Sequence, residues 1–251
     1  METPLIQFQD VHKAFGSQEV LRGVTLDIQR GKVTTIIGRS GIGKSVLLKH
    51  VVGLMEPDHG AILLEGQNLL KLSRRAHQAM KSRFSYMFQQ MALLDSLTVY
   101  ENIALPLQEC TKLPKGKIRE KVMEIAGVME LGDTLAKYPS QLSGGMSKRV
   151  AFARALVTEP EIVLFDEPTT GLDPVRKSMV HNMIAQHQLR KGFTAVVVSH
   201  DIPEVFDITQ KVAMLEEGII IAEGSPDEIR ENEDPRVSSF IEGKSNSHIE
   251  L

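Results

Sequence analysis

The stretch Val33-Thr34-Thr35-Ile36-Ile37-Gly38-Arg39-Ser40-Gly41-Ile42-Gly43-Lys44-Ser45 decides the fold. Its first five residues form an apolar, β-branched run that reads as a buried strand. Val46 to Val52 reads as a helix. Strand, G-x-x-x-x-G-K-[ST], helix is the context of a phosphate-binding P-loop. Its glycines let backbone N–H groups turn inward around phosphate oxygens, and the helix N-terminus adds a partial positive charge. Lys44 is expected to reach the β- and γ-phosphates and the Ser45 hydroxyl to ligate Mg²⁺. The candidate nucleotide contacts here are Gly38, Arg39, Ser40, Gly41, Ile42, Gly43, Lys44, Ser45 and Val46.

At 251 residues the chain can bury a large core. Hydrophobic content of 42% and charged content of 24% are those of an ordinary globular protein. The net charge of −3 gives no global pull toward nucleic acid or an anionic membrane, so no nucleic-acid partner is expected. The one cysteine, Cys110, excludes an internal disulfide. The eight histidines are scattered without metal-ligand spacing. Neither a signal peptide nor an apolar run approaching 18 residues is visible, so any membrane span is expected on another chain.

Outward from the P-loop, Leu5–Phe8 and Val24–Ile28 read as short strands. Phe15 lies between them, before Gly16, where a ring could stack on adenine or, as more lone phenylalanines do, enter the core. Pro57–Gly60 reads as a turn, Ala61–Gly66 as a hairpin edge, Arg74–Arg83 as a helix, and Phe84–Phe88 as a strand running into Gln89. From Thr98 to about Thr158 the pattern is helix after helix, with breaks expected at Pro106, Pro114-Lys115-Gly116, Gly132 and Pro139. The apolar segment Leu93–Leu107 suits either core packing or a groove for a partner helix. Ser143-Gly144-Gly145-Met146 opens a helix expected over Ser147–Thr158. Glu161–Glu167 is a buried strand ending in two carboxylates, Val175–Lys191 a helix, and Thr194–Val198 a buried strand ending in Ser199-His200. Lys211–Glu223 reads as a β-hairpin, followed by helices at Pro226–Glu231 and Pro235–Glu242 and a polar tail expected to be disordered over residues 244–251.

Three apolar strands thus end in chemistry, at Gly38–Ser45, Asp166-Glu167 and His200. In a parallel sheet such ends share one edge, where ligands bind. Asp166 suits holding Mg²⁺ and Glu167 suits taking a proton from an attacking water. His200 could donate to the γ-phosphate, and Gln89 could reach both metal and water. The Ser143-Gly144-Gly145 helix start offers N–H groups, a hydroxyl and a positive dipole end, a second anion cradle. One nucleotide needs one cradle, so two in a chain imply that the second serves the nucleotide of another copy in a two-fold dimer.

Over about residues 5–242 the set resembles the ABC (ATP-binding cassette) ATPase family. The resemblance rests on the Walker A Gly38–Ser45, Q-loop Gln89, signature Leu142–Met146, Walker B Ile162–Glu167, D-loop Gly171-Leu172-Asp173 and H-loop His200. It implies an α/β fold: a P-loop NTPase (RecA-like) core with an N-terminal antiparallel β subdomain and an inserted α-helical subdomain. Residues 1–243 would form one ATP-binding domain, with about 1–90 and 159–243 as the core lobe and about 91–158 as the helical subdomain. It also implies ATP and Mg²⁺ as cofactors, adenine stacked on Phe15, and Asp173 contacting the opposite site. The signature departs at Met146, where most members carry Gln.

The segments Ala92–Asn102, the Leu-Ser-Gly-Gly-Met signature, Ser199–Val205 and Asp234–Val237 look like the ATPase of Mla-type phospholipid-trafficking systems. That likeness implies a cytoplasmic-side, peripheral subunit at a bacterial inner membrane. Its expected partners are an integral membrane permease, a periplasmic MCE-type lipid-binding subunit and a small STAS-type regulatory subunit. Two other functions stay open at this point: an importer ATPase for an amino acid or other small solute, and a non-transport ABC regulatory ATPase.

Overall fold

The structure is a computed structural model that describes residues 3–243. The tail expected to be disordered lies outside the described residues. Two sheets carry the fold. The smaller is antiparallel, in the order β2-β1-β4-β5, from Ile6–Phe15 (β1), Gln18–Ile28 (β2), His59–Leu64 (β4) and Gln67–Asn68 (β5). The larger runs β10-β9-β3-β8-β7-β6. It comprises Val33–Ile37 (β3), Phe84–Met87 (β6), Ile162–Asp166 (β7), Thr194–Ser199 (β8), Lys211–Glu216 (β9) and Ile219–Gly224 (β10). All its pairings are parallel except β9 with β10.

Strands β3, β7 and β8 are buried at every position, because both faces of the sheet are covered. Their side chains alternate between two cores. Ile36, Leu164, Val196 and Val198 join the core shared with the small sheet, while Ile37, Val163, Phe165 and Val197 face the helical side. Phe152 stacks on Phe165 with ring centroids 5.5 Å apart, tying the helical insertion to the central sheet.

The insertion holds Val99–Cys110 (α3), Lys115–Val128 (α4) and Gly144–Leu156 (α5). The other helices are Lys44–Val51 (α1), Arg74–Lys81 (α2), Pro174–Lys191 (α6), Pro226–Arg230 (α7) and Pro235–Ile241 (α8). No helix among the described residues is long and apolar enough to cross a membrane.

Four local expectations need correction. The first two strands are longer than the apolar segments Leu5–Phe8 and Val24–Ile28, because backbone pairing continues through the polar residues to Phe15 and Gln18. Pro106 does not break its helix. Only the bond to the carbonyl four residues back is lost, while a Thr98–Glu101 capping box and the buried face of Val99, Ile103, Ala104 and Leu107 hold α3 together. Helix α5 starts at Gly144 rather than Ser147, since the Ser143 hydroxyl caps it by accepting from Met146 N at 3.4 Å. Gln89 lies two residues beyond the end of β6 instead of on it.

Candidate functional site

Parallel register places the chemistry. Ile37 sits opposite Ser199, and Asp166 opposite Val198, so Gly38, Glu167 and His200 leave the sheet side by side at its C-terminal edge. Tyr86 pairs with Leu164, which brings the end of β6 to the same edge.

The P-loop bends over this edge at glycines with positive φ. At Gly38 (φ 148°) a Cβ would stand 2.4 Å from the Leu215 carbonyl oxygen, so the loop rests directly on β9. At Gly41 (φ 79°) nothing lies within 4 Å of such a Cβ, and the backbone there faces open space. An open cleft of about 270 Å³ adjoins it, lined by Gln18, Val20, Arg22, Gly41, Ile42 and Gly218. A larger cavity of about 440 Å³ lies between α4 and the end of α6, and no predicted site residue lines it.

Lys44 is buried and donates to the carbonyls of Gly38 at 2.8 Å and Arg39 at 2.7 Å. Its Nζ lies 3.9 Å from Glu167 Oε1. Burial pushes its pKa below the ordinary lysine value, against the opposing pull of Glu167 and Asp166. Ser45 Oγ donates to Asp166 Oδ1 at 2.6 Å, and Tyr86 OH donates to Asp166 Oδ2 at 2.8 Å. Burial, with Asp166 beside it, pushes the Tyr86 phenol up, so the phenol stays a donor.

Glu167 is buried, with φ 47°, a region that non-glycine residues adopt only where neighbours hold them. Its Oε2 accepts from Gln89 Nε2 at 3.0 Å and from Thr170 Oγ1 at 2.9 Å. His200 Nδ1 stands 3.5 Å from Glu167 Oε1, and its ring is partly open to solvent. One buried ammonium, two carboxylates and an imidazole therefore share the mouth of the P-loop. That set can neutralise phosphate charge and hold a water for deprotonation.

Lys44, Ser45, Gln89, Asp166, Glu167 and His200 are joined in this cluster. Arg39 and Ser40 are exposed on the loop, with Arg39 Nε 3.9 Å from Glu216 Oε1, and Val46 lies in the first turn of α1. Phe15 is exposed at the tip of the β1–β2 hairpin, with Lys13 Nζ 5.8 Å from its ring centre. Ser143, Gly144 and Gly145 form the start of α5, and no described hydrogen bond or ion pair joins them to the cluster. Asp173 likewise stands apart, capping α6 and pairing with Arg176 at 3.2 Å.

Sequence reasoning missed Tyr86 and Thr170, the partners of the two carboxylates. It also missed Asp201, which accepts from Thr169 and Lys177 beside them. The only signal was position: Tyr86 alternates on its strand, Thr170 follows Glu167 by three residues, and Asp201 follows His200.

A P-loop strand neighboured by one strand ending at a histidine and, beyond it, one ending in Asp-Glu defines a nucleotide-hydrolysing P-loop cassette. Comparison with known proteins narrows this further. The family model described as "ABC transporter" matches residues 21–170, and the chain belongs to that family as an ATP-binding, ATP-hydrolysing subunit. It is 39% identical over 239 residues to the Intermembrane phospholipid transport system ATP-binding protein MlaF of Escherichia coli K12, covering 95% of this chain and 89% of that one. It is 36% identical over 239 residues to the Probable ribonucleotide transport ATP-binding protein mkl of Mycobacterium leprae, covering 95% and 69%. Among solved structures, a dimeric post-hydrolysis state of the ATP-binding cassette MJ0796 bound to ADP and Pi superposes with a TM-score of 0.80 at 29% identity, covering 88% and 98%.

Proposed function

We propose that this chain powers phospholipid movement through a partner permease, working as a two-fold dimer at the cytoplasmic face of a bacterial inner membrane. The hydrolytic part of this reading is carried by the packing of Lys44, Asp166, Glu167 and His200 around the mouth of the P-loop. The cargo is supported by the 39% identity to MlaF along nearly the whole chain.

The chemistry follows from the residues. The Gly38–Ser45 loop and Lys44 receive the β- and γ-phosphates of ATP. Ser45 Oγ and Asp166 are hard oxygen donors already 2.6 Å apart, and Gln89 gives its amide N–H to Glu167, leaving its carbonyl oxygen as a third donor. These donors suit Mg²⁺, which when bound supplies neutralising charge to the phosphates. Glu167 accepts a proton from the water that attacks the γ-phosphorus. The bond from that phosphorus to the bridging oxygen breaks, and ADP leaves with the bonding electron pair. Lys44 and His200 stabilise charge on the transferring group. Ser143–Gly145 and Asp173 of the second copy complete the site, which explains why they stand outside the cluster of their own chain. Adenine stacks on exposed Phe15.

An MCE-type lipid-binding subunit and a small STAS-type subunit are the further partners of this reading. In the E167Q variant, hydrolysis is expected to fall by at least about a hundredfold while ATP is still bound. Unaltered turnover would remove Glu167 from the base role. A second reading, uptake of a small polar solute, draws on the likeness to mkl. Purification with the proteins of neighbouring genes, followed by mass spectrometry of bound lipid, separates the two: co-purifying phospholipid and an MCE-type chain support the first.

A further inference from the structure

Lys148 lies five residues beyond the Ser143 cap of α5 and is only 5% exposed. It forms no ion pair among the described residues. A buried ammonium in contact with no carboxylate is costly, and burial pushes its pKa below the ordinary lysine value, against the pull of Asp201 nearby and with Lys177 adding to the lowering. What it does instead is donate to two backbone carbonyls, Pro168 O at 2.6 Å and Thr170 O at 2.8 Å.

Those carbonyls belong to the turn that carries Glu167. Thr170 N donates to the Glu167 carbonyl at 3.3 Å, and Thr170 Oγ1 to its carboxylate at 2.9 Å. Thr169 gives its hydroxyl to Asp201, which Lys177 of α6 also holds. The turn is therefore gripped directly from α5 and from the segment after β8, whose Asp201 is in turn held by α6. Only the α5 grip comes from the helix whose N-terminus is placed, in the reading above, against the nucleotide of the second copy.

We propose that Lys148 is a positioning residue for hydrolysis: it ties the Ser143–Gly145 helix to the Glu167 turn, so that engagement of that helix start aligns the carboxylate in the same chain. A helix is stiff along its axis and both bonds are made to main chain, so a shift of α5 reaches Glu167 through one side chain. The inference rests on Glu167 acting as the base.

The test compares K148M, K148R, E167Q and the E167Q/K148M double variant in the full-length chain. K148M keeps the length of the stem and removes the ammonium that makes both hydrogen bonds. Its kcat is expected to fall between about tenfold and about a hundredfold, the loss a displaced catalytic group causes. KM and the affinity for a fluorescent ATP analogue should stay within about twofold of the unmodified chain. K148R should recover most of the rate, because a guanidinium can donate to both carbonyls. The double variant should be no slower than E167Q alone, since Lys148 acts through that carboxylate. Hydrogen exchange over residues 166–172 supplies a readout independent of turnover, rising in K148M and returning in K148R. An unchanged rate and unchanged exchange in K148M, an added loss on top of E167Q, or a matching loss of ATP affinity that arginine does not restore would each overturn the proposal. If E167Q itself turns over normally, the base assignment has failed instead, and that result is read from a separate variant.

Discussion

Alanine at Gly38 and at Gly41 should harm the protein in different ways, although both glycines belong to one loop. At Gly38 the new methyl group would lie 2.4 Å from the Leu215 oxygen, inside the 3.0 Å that real Cβ contacts respect. Leu215 pairs with Ile220 in the β9–β10 ladder, so its carbonyl does not move freely. Overpacking of this kind costs about 1–3 kcal/mol, and alanine at φ 148° adds about 1–3 kcal/mol of backbone strain. G38A should therefore lose about 2–6 kcal/mol, seen in urea unfolding followed by circular dichroism as a midpoint lower by roughly 1–2 M. At Gly41 the protein offers no obstacle, and only the φ of 79° is penalised, by about 1–2 kcal/mol. Its methyl group projects where the loop faces open space, so G41A should lose ATP affinity by more than about tenfold while its stability falls by only about 1–2 kcal/mol, less than that of G38A. G38A with unaltered stability, or G41A as unstable as G38A and still binding ATP normally, would refute this account of the loop.

Tyr86→Phe removes the phenol that donates to Asp166 at 2.8 Å, and should cost about 1.5–3 kcal/mol in urea unfolding, the usual worth of a hydrogen bond to a charged group. Asn102 is fully buried and its amide nitrogen donates to the carbonyls of Leu94, Leu97 and Thr98, while Leu94 N donates to its oxygen. Asn102→Ala should cost about 2–4 kcal/mol and raise hydrogen exchange over residues 94–98 first. His50, His181 and His187 all have pKa values lowered from 6.5, with burial the leading cause. The unfolded chain then binds more protons below about pH 6.5, so stability should fall as pH drops from there, each histidine contributing up to about 1.4 kcal/mol per pH unit. His181, whose two ring nitrogens have no hydrogen-bond partner among the described residues, is the cleanest test: His181→Leu should flatten that slope, and an unchanged slope would mean it titrates alike in both states.

The central sheet was legible because burial on both faces leaves strands made of apolar and β-branched residues, as in Ile162–Phe165 and in Val33–Ile37, where Thr34 and Thr35 are the only polar members. The extension of β1 was not, because it is irregular. Register shifts fall between Phe8 and Val11 and again near His12, Asp10 takes a φ of 49°, and the alternation that marks a half-buried strand is lost. The start of α5 was hidden for another reason. Two glycines argue against helix by propensity, and the cap at Ser143 overrides them.

The site divides along the same line. Groups announced by local motif, such as Lys44, Asp166 and His200, could be named from their strand ends, because a parallel sheet sends successive C-terminal ends to one edge. The groups that hold them could not. Tyr86 reaches Asp166 across 80 positions of chain and Lys148 reaches Pro168 across 20, contacts that exist only after the β6–β7 pairing and the packing of α5 are fixed. A motif reports which atoms meet the phosphates. Gln89, named from its motif, also holds Glu167, but the rest of the precision comes from Thr170 and the Lys148 bonds around it, whose side-chain types are unremarkable on their own. Substitutions at the motif and at its supports should therefore part company in assay: the first abolish turnover, and the second leave ATP bound and slow its cleavage.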